Sequence, residues 1–206
     1  MFVVTADQRG SQTSADLIPA VLTAVGQYGS RHLALAPERT AGDEFQVAIS
    51  DPQAVLAIIL DLTRAQTWSV GLGVGGVESP LPTSVRAARG EAFVNARDAV
   101  DRAKKATTRL AITARDEAGT DAEALVRLLV ELRDRRSDEG WEVYDLLAGG
   151  LTQREAATRL GISEGAVSLR AKAAALRAEE AAVPALERAL GRLDVDGVAA
   201  PDVATD

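Results

Sequence analysis

The sequence predicts an α+β fold, in which a ferredoxin-like N-terminal domain precedes an all-α C-terminal domain that contains a helix-turn-helix. Residues 1–115 alternate short apolar runs with amphipathic stretches in the order β-α-β-β-α-β-α-β. After a polar segment at 115–120, helical spacing follows as far as about residue 192. This second part also carries the small-residue, glycine and apolar spacing that is typical of a helix-turn-helix.

The domain at 1–115 combines five predicted strands with three predicted helices. The strands are FVVTAD, RHLALA, EFQVAIS, TWSVGLGVGG and RLAITA. The helices are SADLIPAVLTAVGQY, DPQAVLAIILDLTRA and GEAFVNARDAVDRAKKA, and the second starts strongly because Asp51 precedes Pro52. The segment PERTAGD has the length of a hairpin turn. A hairpin flanked by crossover helices predicts the ferredoxin-like, or palm, arrangement.

The remaining residues divide into a connecting helix, a helical domain and a tail. The connecting helix is predicted over 120–136, where Thr120 and Glu123 have the spacing of a capping box. The helix-turn-helix domain is predicted over 138–192. The segment 193–206 lacks periodicity, and we expect it to be disordered.

Composition and charge exclude several classes of site. The chain has 206 residues and no cysteine, which excludes disulfides, thiolate metal sites and a cysteine nucleophile. No apolar run is long enough to cross a bilayer, so we expect a cytoplasmic protein that does not associate with membranes. The net charge of -7 disfavours non-specific attraction to nucleic acid. Residues 152–178 nevertheless hold five basic and two acidic side chains, a local basic island.

Three carboxylates are candidates for a metal site. Asp7 ends the first predicted strand, and Asp43 and Glu44 begin the third. In a palm the first strand lies beside the hairpin, so these side chains are expected to converge at one edge of the sheet. Clustered carboxylates repel each other unless a cation is present, and hard oxygen ligands suit Mg²⁺ or Mn²⁺. The alternative is that Asp43 merely caps a tight hairpin.

Several motifs resemble known families. RTAGDEF resembles the R-Y-G-G-D-E-F hairpin of diguanylate cyclases, a branch of the nucleotidyl-cyclase palm, and NARDAVDRAKK resembles their closing helix. The match is closer to the SatD family of small bacterial proteins, in ADQRGS, GDEFQ, GEAFVNAR and a C-terminal helix-turn-helix. Together these motifs cover about residues 1–180. The resemblance implies a palm that binds a divalent metal and a nucleotide.

The resemblance also implies which residues contact the nucleotide. The sequence departs from the cyclase pattern in places. The implied nucleotide-binding residues are Arg39, Gly42, Lys104 and Arg109. The first glycine of the hairpin pattern is Ala41, and DQRGSQ lacks the second acid and the lysine of a cyclase first strand. These departures favour binding over turnover.

A second glycine pattern is a false match. Gly71, Gly73 and Gly76 satisfy G-x-G-x-x-G, but VESPLPTS follows them. A dinucleotide site needs a helix that begins directly after the glycines, and these prolines prevent that. We therefore do not interpret these glycines as a nucleotide fingerprint.

The stretch LTQREAATRLGISEGAVSLRAKAAAL predicts the helix-turn-helix. Ala157, Gly161 and Val167 have the spacing of this motif. In it, a small residue lets the two helices cross closely, a glycine makes the turn, and an apolar residue packs between the helices. The candidate DNA-binding residues are Thr152, Arg154, Arg159, Ser163, Glu164, Gly165, Ser168, Arg170 and Lys172. Within this set we assign Ser163, Glu164, Ser168 and Lys172 to base edges and the three arginines to phosphates. The alternative is a helical hairpin used for protein contact.

Two hypotheses from different classes follow. The first is a DNA-binding transcriptional regulator whose palm senses a nucleotide or metal, with double-stranded DNA as partner. So few phosphate contacts would bind weakly in one copy, which favours a homodimer with the 121–136 helix as a candidate seam. The second is a divergent nucleotidyl cyclase, or related nucleotide-dependent enzyme, localised by its helical C-terminal module.

Overall fold

The computed structural model describes residues 1–195 as a mixed α+β chain. The strands are β1 (Phe2–Gln8), β2 (Leu33–Ala41), β3 (Glu44–Ile49), β4 (Trp68–Val74) and β5 (Leu110–Thr113). The helices are α1 (Ile18–Gly26), α2 (Pro52–Arg64), α3 (Glu91–Ala103), α4 (Glu117–Asp134), α5 (Asp138–Ala148), α6 (Gln153–Leu160), α7 (Glu164–Ala173) and α8 (Leu176–Val195). The order predicted for residues 1–115 is confirmed.

Two sequence predictions differ from the structure at their boundaries. The predicted polar linker at 115–120 is shorter, because α4 already begins at Glu117. The predicted disordered tail starts too early, because residues 193–195 continue α8, where Leu193 is buried and Asp194 pairs with the Met1 ammonium. The rest of the predicted tail lies outside the described residues. No helix among residues 1–195 is long and apolar enough to span a membrane.

The five strands form one mixed sheet in the order β2-β3-β1-β4-β5. β1 is antiparallel to both β3 and β4, while β5 is parallel to β4. The end of β1 therefore meets the starts of β3, β4 and β5 at one edge of the sheet. The register places Asp7 opposite Glu44 on one side and opposite Ser69 on the other. This edge gathers the acidic residues that the sequence singled out.

Two glycines let α3 lie directly on the backbone of β4. A Cβ on Gly71 would stand 2.7 Å from Cα of Val100, and one on Gly73 would stand 2.7 Å from Cα of Ala96. Both distances are far below a normal carbon contact. Two of the three glycines of the false nucleotide fingerprint, Gly71 and Gly73, thus serve helix–sheet packing, and this close approach brings the end of α3 to the acidic edge.

The chain forms two compact units. One comprises Met1–Arg127 with the described residues from Leu186 on, and the other comprises Leu128–Ala185. The predicted domains were 1–115, the connecting helix 120–136 and 138–192. In the structure, α4 and α8 each contribute residues to both units.

The second unit has an apolar core and a buried ionic cluster. Val143, Ala156, Ala157 and Val167 form the core between α5, α6 and α7. Beside it, Glu179 accepts hydrogen bonds from Arg133 and, at 2.6 Å, from Arg136. The side chains of both arginines are almost fully buried, at 3% and 0% exposure. Their guanidinium groups lie over Trp141, at 4.9 and 4.3 Å from the ring centre.

Candidate functional site

An open cleft of about 720 Å³ lies at the edge where β1 ends. It is lined by Asp7, Gln8, Arg9, Gly10, Ser11, Gln12, Thr13, Asp43, Ser69, Lys104 and Arg109. Three of these side chains are basic and two are acidic, so the cleft carries a net positive charge although the whole chain is acidic. A concave site with convergent polar groups of both signs is suited to a phosphate-bearing ligand.

The central pair in the cleft joins β1 to the end of α3. Lys104 Nζ lies 2.8 Å from Asp7 Oδ2, and the side chains are 39% and 19% exposed. The hydrogen bond to Asp7 raises the pKa of Lys104 above its ordinary value, although partial burial of the ammonium opposes that shift. Lys104 is therefore a cation at any physiological pH. Its ammonium group lies on the cleft wall, paired with Asp7.

Asp43 enters the same cleft from the hairpin between β2 and β3. Its Oδ2 accepts a hydrogen bond of 2.5 Å from Ser11 Oγ. Ser11 belongs to the loop that follows β1, and Gln8 holds this loop in place. The Gln8 amide donates 2.7 Å to the Ala15 carbonyl and accepts 2.8 Å from the Leu17 N–H. Because Gln8 is 2% exposed, the loop rests on a buried polar anchor.

Glu44 does not join the other two carboxylates. Its side chain is buried, accepts 2.6 Å from Thr40 Oγ1 and pairs at 3.1 Å with Arg97 on α3. Among residues 1–195 no group of three or more His, Asp or Glu side chains is placed to hold a metal ion. The expected three-carboxylate convergence is thus not formed, because Asp7, Asp43 and Glu44 each have a different partner.

Two carboxylates, those of Asp7 and Asp43, remain on the cleft wall. Mg²⁺ is commonly held by one or two carboxylates together with phosphate oxygens, so this pair fits a metal–nucleotide better than a bare ion. Lys104 already neutralises Asp7, which further favours a ligand that brings its own negative charge.

Arg39 and Gly42 line a second, smaller cleft of about 420 Å³ that shares Ser11 and Asp43 with the larger one. Arg39 donates 2.8 Å to the Gly42 carbonyl and pairs with Asp16. The hydrogen bond from Arg39 lowers the pKa of Asp16. The predicted nucleotide-binding residues therefore fall into two neighbouring clefts. Lys104 and Arg109 line the larger one, and Arg39 and Gly42 line the smaller one.

Two residues beside the larger cleft have strained backbones. Gln66 and Arg109 both have φ of 54°, in the left-handed region that residues other than glycine rarely adopt. Arg109 donates 2.5 Å to the Lys104 carbonyl. Arg9 donates 2.7 Å to the Gln66 carbonyl. A third residue with this conformation, Ala175, lies in the second unit between α7 and α8, so the conformation is not specific to the cleft.

Sequence reasoning missed the loop that follows β1 as a source of cleft residues. Arg9, Ser11 and Thr13 all line the cleft, and Gly10 makes the turn with φ of +65°. A local signal was present in DQRGSQTS, where a glycine stands among hydroxyl side chains directly after an acid-ending strand. Arg97, the partner of Glu44, carried no such signal.

The second candidate surface is formed by α6, α7 and the turn between them. Thr152 and Glu155 form a capping box: Glu155 N–H donates 3.3 Å to Thr152 Oγ1, and Thr152 N–H donates 2.8 Å to Glu155 Oε2. The Thr152 bond holds the pKa of Glu155 below its ordinary value. Gly161 ends α6 with φ of 67°, and Ser163 caps α7 by accepting 3.1 Å from Ala166 N–H.

Most of the predicted DNA-binding residues are exposed on this surface. The exposed ones are Thr152, Arg154, Arg159, Ser163, Glu164, Gly165, Ser168 and Lys172. Arg170 differs, because its guanidinium donates 3.4 Å to Glu142 on α5 and its side chain is 32% exposed. Sequence reasoning omitted Leu169, which is 70% exposed on α7.

Comparison of the chain with protein-family models, curated proteins and solved structures returned no match.

Proposed function

We propose that this protein is a DNA-binding transcriptional regulator that acts in the cytoplasm through a helix-turn-helix formed by α6 and α7. One observation carries the proposal. Gly161 makes the turn between α6 and α7, and Ser163 caps the start of α7. Ala157 and Val167 pack together between the two helices, and α7 presents an exposed and mostly polar face. A second helix presented in this way fits the major groove of B-DNA.

The charges on this surface support phosphate contacts but only a few of them. Arg154, Arg159 and Lys172 are exposed cations, whereas Leu128–Ala185 as a whole holds eight basic and ten acidic residues. Affinity for DNA rises with the number of phosphates that are neutralised. One copy would therefore bind weakly, and we propose a homodimer that doubles the contacts.

Removing a cation that neutralises a phosphate should weaken binding to all sequences equally. We expect Arg154→Ala to lower the affinity for every duplex and to reduce the slope of log affinity against log salt by about one for each phosphate that is no longer neutralised. Lys172→Ala should instead change the ranking of sequences, because Lys172 lies on the α7 face. Fluorescence anisotropy at several salt concentrations measures both effects.

The control for these variants is Arg31→Ala, an exposed arginine of the other unit, which should bind as the wild type does. Arg170→Ala should have less effect than Arg154→Ala, because Glu142 already engages Arg170. Equal loss of affinity in Arg31→Ala and Arg154→Ala would contradict a specific role for α6.

We further propose that the first unit is a ferredoxin-like palm of the SatD type that binds a nucleotide with Mg²⁺ or Mn²⁺. The β-α-β-β-α-β connectivity and the order β2-β3-β1-β4 support this arrangement. Asp7 and Asp43 would hold the metal, while Lys104 and Arg109 would contact phosphate oxygens. The bound metal would neutralise phosphate charge. The Gln8-anchored loop would orient the ligand.

Loss of the Lys104 ammonium group should weaken nucleotide binding. A hydrogen bond to a charged group is worth about 1.5–3 kcal/mol, so we expect Lys104→Ala to weaken binding of GTP or ATP with Mg²⁺ roughly tenfold or more. The rise in melting temperature on addition of nucleotide reports this loss. Lys105→Ala, the exposed neighbour, should keep the wild-type rise. An unchanged rise in Lys104→Ala would remove this lysine from the site.

A second candidate function is a nucleotidyl-cyclase-like enzyme, which the Asp7–Lys104 pair in the same cleft as Asp43 favours. Incubation with GTP or ATP and Mn²⁺, followed by chromatography of the products, separates the two candidates. Product that disappears in Asp43→Ala would establish the enzyme.

A further inference from the structure

Leu169 has no packing role that accounts for its position. Within residues 1–195, Leu169 is the most exposed of the large hydrophobic residues, at 70%. Its near neighbour Val167 is fully buried and faces the core of the second unit. Leu169 therefore points away from the core, on the side of α7 that the proposed function assigns to DNA.

The neighbours of Leu169 leave it accessible. On a helix the residues three and four positions away share its face, and these are Gly165, Ala166, Lys172 and Ala173. Gly165 is exposed and has no side chain. Lys172 is exposed and supplies a cation. The α7 surface thus combines one isolated branched apolar group with a basic neighbour and a gap through which a partner can approach closely.

We infer that Leu169 is a specificity-determining residue that contacts the C5-methyl group of a thymine in the major groove. This inference rests on the proposed DNA binding. Thymine is the one base that presents a methyl group in the major groove, and apolar side chains read it by contact. Burial of one methyl group is worth about fourfold in affinity.

A protein partner fits this face less well than DNA does. Leu169 is the only large hydrophobic side chain exposed on α7, and the remaining exposed positions of that helix are Glu164, Gly165, Ser168, Lys172 and Ala173. Stable protein interfaces bury at least about 1,000 Å² around a cluster of apolar anchors. A single leucine beside a lysine does not provide such a cluster. The same pair matches a thymine methyl group that lies near the negatively charged phosphate backbone of DNA.

The experiment begins with the full chain and a random duplex library, from which the best-binding sites are selected. Each thymine of a selected site is then replaced by uracil, which removes only the methyl group. We expect the wild type to lose about fourfold in affinity at one thymine of each half-site. Leu169→Ala should bind the thymine and uracil duplexes equally, while Leu169→Met, which remains apolar, should retain part of the difference.

Two controls keep the outcomes separable. Val94→Ala changes a side chain of α3 that is 69% exposed and lies outside the proposed DNA and dimer surfaces, so it should show the full uracil penalty. Circular dichroism should show the wild-type melting temperature for Leu169→Ala, because the side chain is mostly in solvent.

Any of four results would overturn the inference. No uracil penalty at any thymine, or the same penalty in Leu169→Ala as in the wild type, would assign Leu169 no methyl contact while leaving DNA binding in place. If Leu169→Ala lost affinity equally for all duplexes and also lost self-association, Leu169 would be a protein contact. Failure of the library to yield any enriched sequence would remove the proposed function itself.

Discussion

A Gly73→Ala variant should strongly destabilise the first unit. The new methyl group would stand 2.7 Å from Cα of Ala96 and still closer to the backbone nitrogen of the same residue. This neighbour is helix backbone, so no rotamer change relieves the clash, and α3 must move off β4. We expect a loss of at least about 4 kcal/mol in the free energy of unfolding. Urea denaturation followed by circular dichroism measures this loss.

The matched control is Gly76→Ala, at the third glycine of the same sequence pattern. A Cβ at Gly76 would meet nothing within 4 Å, so this variant should unfold at nearly the wild-type urea concentration. Gly71→Ala, which would meet Val100, should behave as Gly73→Ala does. Wild-type stability of Gly73→Ala would contradict the direct seating of α3 on β4. Such a result would also mean that the close approach of α3 to β4 does not set the position of Lys104.

Glu179→Ala should be the most destabilising change in the second unit. It leaves the buried guanidinium groups of Arg133 and Arg136 without their shared carboxylate. Removing one partner of a buried ionic cluster costs about 3–5 kcal/mol, because the remaining charge stays desolvated. Both arginines lie over Trp141, so tryptophan fluorescence during urea unfolding should report the change together with circular dichroism.

Glu180→Ala provides the control, because Glu180 is the exposed neighbour on the same helix. Its effect on the free energy of unfolding should stay within about 0.5 kcal/mol. If Glu179→Ala and Glu180→Ala unfolded at the same denaturant concentration, the buried cluster would have no role in stability. Charge-conserving Glu179→Asp should fall between the two, since the shorter side chain keeps the charge but has less reach.

The element order was predictable because it depends on local periodicity and caps. Alternating apolar runs marked the strands, and Asp51 with Pro52 marked the start of α2, as the structure confirms. Thr152, Gly161 and Ser163 likewise act within a few residues of their own positions, so the boundaries of α6 and α7 followed from the sequence.

Side-chain partners from distant segments were not predictable. Glu44 follows Asp43 directly, yet it turns to Arg97, which lies 53 residues away on α3. Arg170 is engaged by Glu142 across 28 residues, which weakens its assignment to a phosphate. Arg133 and Arg136 lie in the segment RDRR, which has the composition of a solvated surface. In the structure they are buried against Trp141, Tyr144 and Glu179.

The central claim is that the protein binds duplex DNA through α7. A fluorescence-anisotropy titration of the full chain on DNA from upstream of its own gene, with and without GTP or ATP and Mg²⁺, tests it most directly. We predict saturable binding that weakens with salt, survives competitor DNA and changes when nucleotide is added. Absence of binding at low salt under every condition would contradict the claim and leave the nucleotide cleft as the functional centre.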